Sequence, residues 1–82
     1  MGNFEKLVEI LIEGRRKKKY SYRQVGMFLS HKGVKYTFTS LKKLEDGKTG
    51  SISPKVLKSL SEIYELDTVK LFKLADFLDE DY

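Results

Sequence analysis

Between residues 36 and 50 the chain reads YTFTSLKKLEDGKTG, and these side chains suit contact with the edges and backbone of a double-stranded nucleic acid. If this run is helical, Leu41 and Leu44 fall on one side, while Phe38, Thr39, Lys42 and Lys43 fall on or near the other. Lysine ammonium groups can donate to guanine O6 and N7, and threonine methyls and a phenylalanine ring can pack on thymine methyls. Thr37 stands at the N-cap position, Gly47 stops the run after Glu45 and Asp46, and Lys48 follows the stop. A helix this short, with donors near its N-terminus, suits a major groove about 12 Å wide. The same residues also allow a plainly solvated helix face, since lysines beside threonines are ordinary surface chemistry.

Phosphate oxygens are usually met by helix N-termini and flanking cations. Ser21 is a good N-cap with Gln24 as its capping-box partner, so Ser21, Tyr22, Arg23 and Gln24, with the amides there, form one candidate phosphate site. Thr37 offers a second at the next helix, and Lys48 adds a cation beyond that helix's end. Other chemistries lack their parts. His31 is the single histidine, whereas a metal site needs several ligands and a nucleophilic triad needs serine and an acid beside the histidine. Glu45-Asp46-Gly47-Lys48 lacks the alternating acidic ligands of a calcium loop, and GKTGS lacks the first glycine and the preceding strand of a P-loop. Without cysteine there is no disulfide, thiolate metal site or thiol catalysis, which fits a cytoplasmic protein. Neither an enzyme nor a metal or cofactor site is expected.

The elements that must carry these residues are helical. Eighty-two residues suffice for one domain with a modest core, and 40% apolar with 34% charged residues is neither a disordered nor a fibrous composition. No apolar run reaches the roughly 18 residues of a membrane span, and MGNFEK has no basic segment leading into an apolar one as a signal peptide requires. Apolar spacing predicts five helices, at about 4–18, 22–32, 38–46, 54–64 and 68–78. Phe4, Leu7, Val8, Leu11 and Ile12 form the stripe of the first, which starts after Asn3; Val25, Phe28 and Leu29 form that of the second. Ser53-Pro54 opens the fourth and Asp67 caps the fifth. Gly14 and Gly26 interrupt helices, and at Gly26 the missing side chain would let another helix approach.

Charge is divided along the chain. Residues 1–50 carry 12 Lys or Arg against 5 Asp or Glu, whereas residues 51–82 carry 4 against 7. One half suits a polyanion and the other is kept clear of it. Arg15 to Lys19 place five cations at the end of the first helix, where the macrodipole favours them.

From about Leu7 to Phe72 the chain resembles the Cro/repressor, or XRE, class of helix-turn-helix DNA-binding regulators. Tyr20-Ser21 followed by Val25-Gly26 looks like the opening of that family's second helix. Thr37, Leu41 and Leu44-Glu45-Asp46-Gly47-Lys48 look like its third, and Ser53-Pro54 with Leu57, Leu60 and Leu66 looks like its fourth. The segment between Leu29 and Leu41 is about five residues longer than the family's pattern, and against that pattern SHKG reads as an added turn of the second helix with a longer connection through VKY. The resemblance implies an all-α, five-helix, lambda-repressor-like domain that binds double-stranded DNA and regulates transcription, commonly by repression. It implies base contacts from Phe38, Thr39, Lys42 and Lys43, and a structural pair between Arg15 and Glu45. It also implies a two-fold homodimer, because one small domain reads too few base pairs for specificity. Phe72, Phe77 and Leu78 exceed what one narrow stripe on the fifth helix needs and are the interface candidates. The alternative is a helical protein-interaction module, such as an antitoxin-like protein, using that surface on a partner with weak or no specific DNA binding.

Overall fold

Four helices open on a side-chain cap whose oxygen accepts from the amide three residues on. The pairs are Ser21 with Gln24 (3.1 Å), Thr37 with Ser40 (3.2 Å), Ser53 with Val56 (3.3 Å) and Asp67 with Lys70 (3.2 Å). The computed structural model describes residues 3–75 and contains, among them, five helices and no strand: α1 (Asn3–Lys18), α2 (Tyr22–His31), α3 (Phe38–Glu45), α4 (Pro54–Ile63) and α5 (Thr68–Leu74). The architecture is all-α. Asn3 lies within α1 rather than ahead of it, and α2, α3 and α4 each stop one residue short of the expected end. The helix expected to run to residue 78 reaches its C-cap at Ala75; Phe77 and Leu78 lie outside the described residues.

The ends of α1 to α4 share one geometry. Lys19, Gly33, Gly47 and Glu65 have φ of 60°, 75°, 75° and 58°. Around each, the following residue's amide closes back five residues: Tyr20 to Arg15 O (3.2 Å), Val34 to Leu29 O (2.9 Å), Lys48 to Lys43 O (2.9 Å) and Leu66 to Ser61 O (2.7 Å). This left-handed closure explains why the added turn expected over SHKG stops after His31. Gly33 reverses the chain, and Val34, only 6% exposed, folds back into the core. In three of the four closures the residue after the reversal is apolar and packs inward; after α3 it is Lys48, which is exposed.

Every helix contributes a side chain with almost no exposure: Leu7 and Leu11 from α1, Val25 and Leu29 from α2, Leu41 and Leu44 from α3, Leu57 and Leu60 from α4, and Leu71 from α5. Each such leucine is worth roughly 1.5–3 kcal/mol on burial. Pairwise, α2 packs on α3 and α4, α1 on α3 and α5, and α4 on α5. Ser61 is fully buried; its hydroxyl donates to Lys58 O at 2.7 Å and lies 2.6 Å from Thr68 Oγ1, which ties α4 to α5. At Gly14 an added Cβ would sit 3.1 Å from Leu66 Cδ1 and 3.2 Å from Tyr64 Cβ, so the glycine lets the turn after α4 press onto α1. Gly26 is less demanding. There a Cβ would meet Phe38 N at 3.5 Å, an ordinary contact, so the approach of α3 does not require glycine.

Candidate nucleic-acid interface

α3 rests against α1 on one side and α2 on another, with Leu41 and Leu44 buried beneath it. Phe38, Thr39, Lys42 and Lys43 are all exposed, and among the described residues neither lysine has an ion-pair partner. The N-terminus is fixed from within. Thr37 Oγ1 accepts from the Ser40 amide and donates to Ser40 Oγ (3.3 Å), while the Tyr36 hydroxyl donates to Ser40 O (3.4 Å). Thr37 is therefore engaged as a cap, leaving the amides of Phe38 and Thr39 as free donors at the helix entrance.

The other end of α3 is fixed by charge. Arg15 grips Glu45 with two bonds, Nε to Oε2 at 2.7 Å and Nη2 to Oε1 at 2.9 Å, and its third donor reaches Tyr20 O at 2.9 Å. Side-chain exposures of 14% and 5% put this pair mostly out of water. The guanidinium also lies 4.4 Å from the centre of the Tyr22 ring. Hydrogen bonding to Glu45, opposed by burial, holds the Arg15 pKa above its ordinary value. Burial raises the Tyr22 phenol pKa, with the Glu45 carboxylate adding to it. Tyr64 closes the cluster from below. Burial and then Glu45 push its phenol far up, and its hydroxyl has no hydrogen-bond partner among the described residues.

At the entrance to α2, Ser21 and Gln24 satisfy each other: the Gln24 amide donates to Ser21 Oγ, and the Ser21 amide donates to Gln24 Oε1 at 2.8 Å. The backbone amides of Tyr22 and Arg23 and the side-chain NH2 of Gln24 remain as donors. Tyr22 itself is half-buried on the Arg15–Glu45 pair. Arg23 is exposed and sits with its guanidinium carbon 5.1 Å from the centre of the Phe38 ring, joining the start of α2 to the start of α3. Lys48 is exposed beyond the end of α3. Residues 15–48 hold 11 basic against 2 acidic residues. With Glu45 neutralised by Arg15, Asp46 is the one carboxylate of that span without an ion pair.

The remaining candidates lie elsewhere. Phe72 is half-buried against the core, on the same helix as Val69, which is 46% exposed. Met27, 61% exposed, and Phe38, 43% exposed, flank a shallow groove also lined by Arg23, Gly26, Ser30 and Thr37. Spacing leaves Met27 at the margin of the apolar stripe of α2, and the structure exposes it. The signal was its place with Arg23 and Ser30 at helical i, i+4, i+7 spacing, opposite Val25 and Leu29. Comparison with protein-family models, curated proteins and solved structures finds no match to this chain.

Proposed function

We propose that this chain is a sequence-specific, double-stranded-DNA-binding transcriptional regulator of the helix-turn-helix kind, with α3 in the major groove and α2 lying across the backbone. The observation that carries this reading is α3 itself. It is eight residues long, held inward by Leu41, Leu44 and the Arg15–Glu45 pair, and carries Phe38, Thr39, Lys42 and Lys43 on its exposed face. In this reading those four side chains meet base edges. Phosphates take the entrance of α2, with Arg23 and Gln24, the entrance of α3 at Thr37, and Lys48. The resemblance to the XRE family in motif order supports the same assignment. The protein acts as a cytoplasmic homodimer and represses, because repression requires only occupancy of a promoter.

Exposed Val69 beside half-buried Phe72 on α5 favours a second reading, a protein-interaction module of the antitoxin kind. Selection from randomised duplex DNA at near-physiological salt separates the two. Enrichment of a palindrome with half-sites one helical turn apart supports the dimeric regulator. Salt-sensitive retention without enrichment reduces the lysines to a general polyanion face and leaves the interaction module in the lead.

A further inference from the structure

Beside the lysines of α3 lies an apolar feature that neither phosphate binding nor guanine recognition uses. Met27 and Phe38 are among the largest exposed apolar side chains of the described residues, and they face each other across one shallow groove. Its floor is Gly26. The nearest atoms to a Cβ built there all belong to Phe38, at 3.5–3.8 Å, so the start of α3 lies directly over this glycine. Its rim carries one cation, Arg23, whose guanidinium stands 5.1 Å from the Phe38 ring centre. An apolar slot beside an exposed arginine without an ion pair suits a ligand that is a polyanion and yet presents small apolar groups. In the major groove, that group is the methyl on C5 of a pyrimidine.

We propose that Met27 and Phe38 together form a methyl-reading slot, contributed by two helices, that selects a C5-methylated pyrimidine at a fixed position in each half-site. This rests on the DNA-binding reading above and adds Met27 of α2 to the base-reading surface. Lysines recognising guanine would leave an adjacent thymine indistinguishable from uracil, whereas the slot makes its methyl a determinant. Burying one methyl is worth about fourfold in affinity per site.

The test uses the full chain and the operator recovered by the selection, with each thymine replaced in turn by uracil, which removes the methyl and keeps every hydrogen-bonding group. The expected result is a loss of about fourfold at one symmetric position and little change elsewhere. At that position, 5-methylcytosine paired with guanine is compared with cytosine paired with guanine. A gain from the methyl shows that any C5-methylated pyrimidine is read, and a methyl effect confined to thymine assigns thymine as the source. Met27→Ala and Phe38→Ala should bring the thymine-to-uracil ratio to about one, and exposed Met27 tolerates the change without loss of fold. Two outcomes overturn the slot while leaving the regulator intact: specific binding indifferent to uracil at every position, or a ratio unchanged in both variants. Failure to enrich any operator overturns the DNA reading and the slot with it.

Discussion

Arg15 and Glu45 stand 30 positions apart in the chain, and the bidentate bond between them is the strongest polar link from α3 to the rest of the protein. Charge-assisted pairs of this geometry are directional, so the pair fixes the rotation of α3 as well as its distance from α1. Because both groups are largely out of water, removing either leaves an uncompensated charge. Arg15→Met or Glu45→Ala should each cost about 3 kcal/mol in chemical denaturation, and the double variant should cost clearly less than the sum. The pair was legible in the sequence only through family resemblance, since charge and spacing alone could join Glu45 to any of several cations. Tyr64 was not legible at all, because a tyrosine at the end of a helix carries no mark of an unsatisfied hydroxyl. Its raised folded pKa means that the buried neutral phenol is stable below the ordinary value near 10 and loses that stability as pH rises beyond it. Tyr64→Phe removes the unpartnered group, so it should raise stability by about 1 kcal/mol at neutral pH. It should also flatten the alkaline decline above pH 10 in thermal melts. Some decline remains, because burial raises Tyr22 and Tyr36 in the same sense.

At the scale of elements, helix starts were the most legible feature and helix ends the least. Ser21, Thr37, Ser53 and Asp67 are caps by residue type, and each receives the amide that its type predicts. The end of α1 at Lys18 falls where the spacing put it, but nothing in a lysine or glutamate announces the positive φ of Lys19 and Glu65 that closes α1 and α4. The end of α2 falls at His31, one residue before the expected one. Gly33 marks a stop, but the inward turn of Val34 depends on space between helices that no local pattern encodes. The two interior glycines separate in the same way. Both cost helix propensity, about 1 kcal/mol against alanine, yet only Gly14 meets its neighbours closely enough to need the missing Cβ. Gly26→Ala should therefore raise the melting temperature, with a gain of about 1 kcal/mol. Gly14→Val should lose about 2 kcal/mol by forcing the turn at Tyr64 and Leu66 off α1. Calorimetry of the two variants beside the parent protein decides between them, and the reverse order would contradict the close packing described at Gly14.

Over the described residues, part of the charge counted along the chain is spent on ion pairs between its two halves. The excess of base in residues 1–50 meets the acidic half at particular places, where Lys18 pairs with Glu65 and Lys32 with Glu62. Those pairs take cations from the ends of α1 and α2 and leave Arg23, Lys42, Lys43 and Lys48 around α3 without an acid partner among the described residues. Sequence counts gave the sign and the half, but not which lysines are spent on internal pairs; that depends on how α4 and the turn after it lie against the first two helices. Since the α3 lysines are exposed and unpaired, reversing one should disturb binding and not folding. Lys43→Glu should leave the thermal melt within about 0.5 kcal/mol of the parent while abolishing operator binding. Lys48→Ala should weaken binding across all sequences alike and lower the slope of log affinity against log salt by about one. Val69→Asp, on the far helix α5, serves as the contrast: under the regulator reading with a dimer through α5 it lowers operator affinity only through self-association, and high protein concentration restores it. If Lys43→Glu binds the operator as tightly as the parent, α3 is not the reading helix, and the exposed lysines of this face serve some other polyanion.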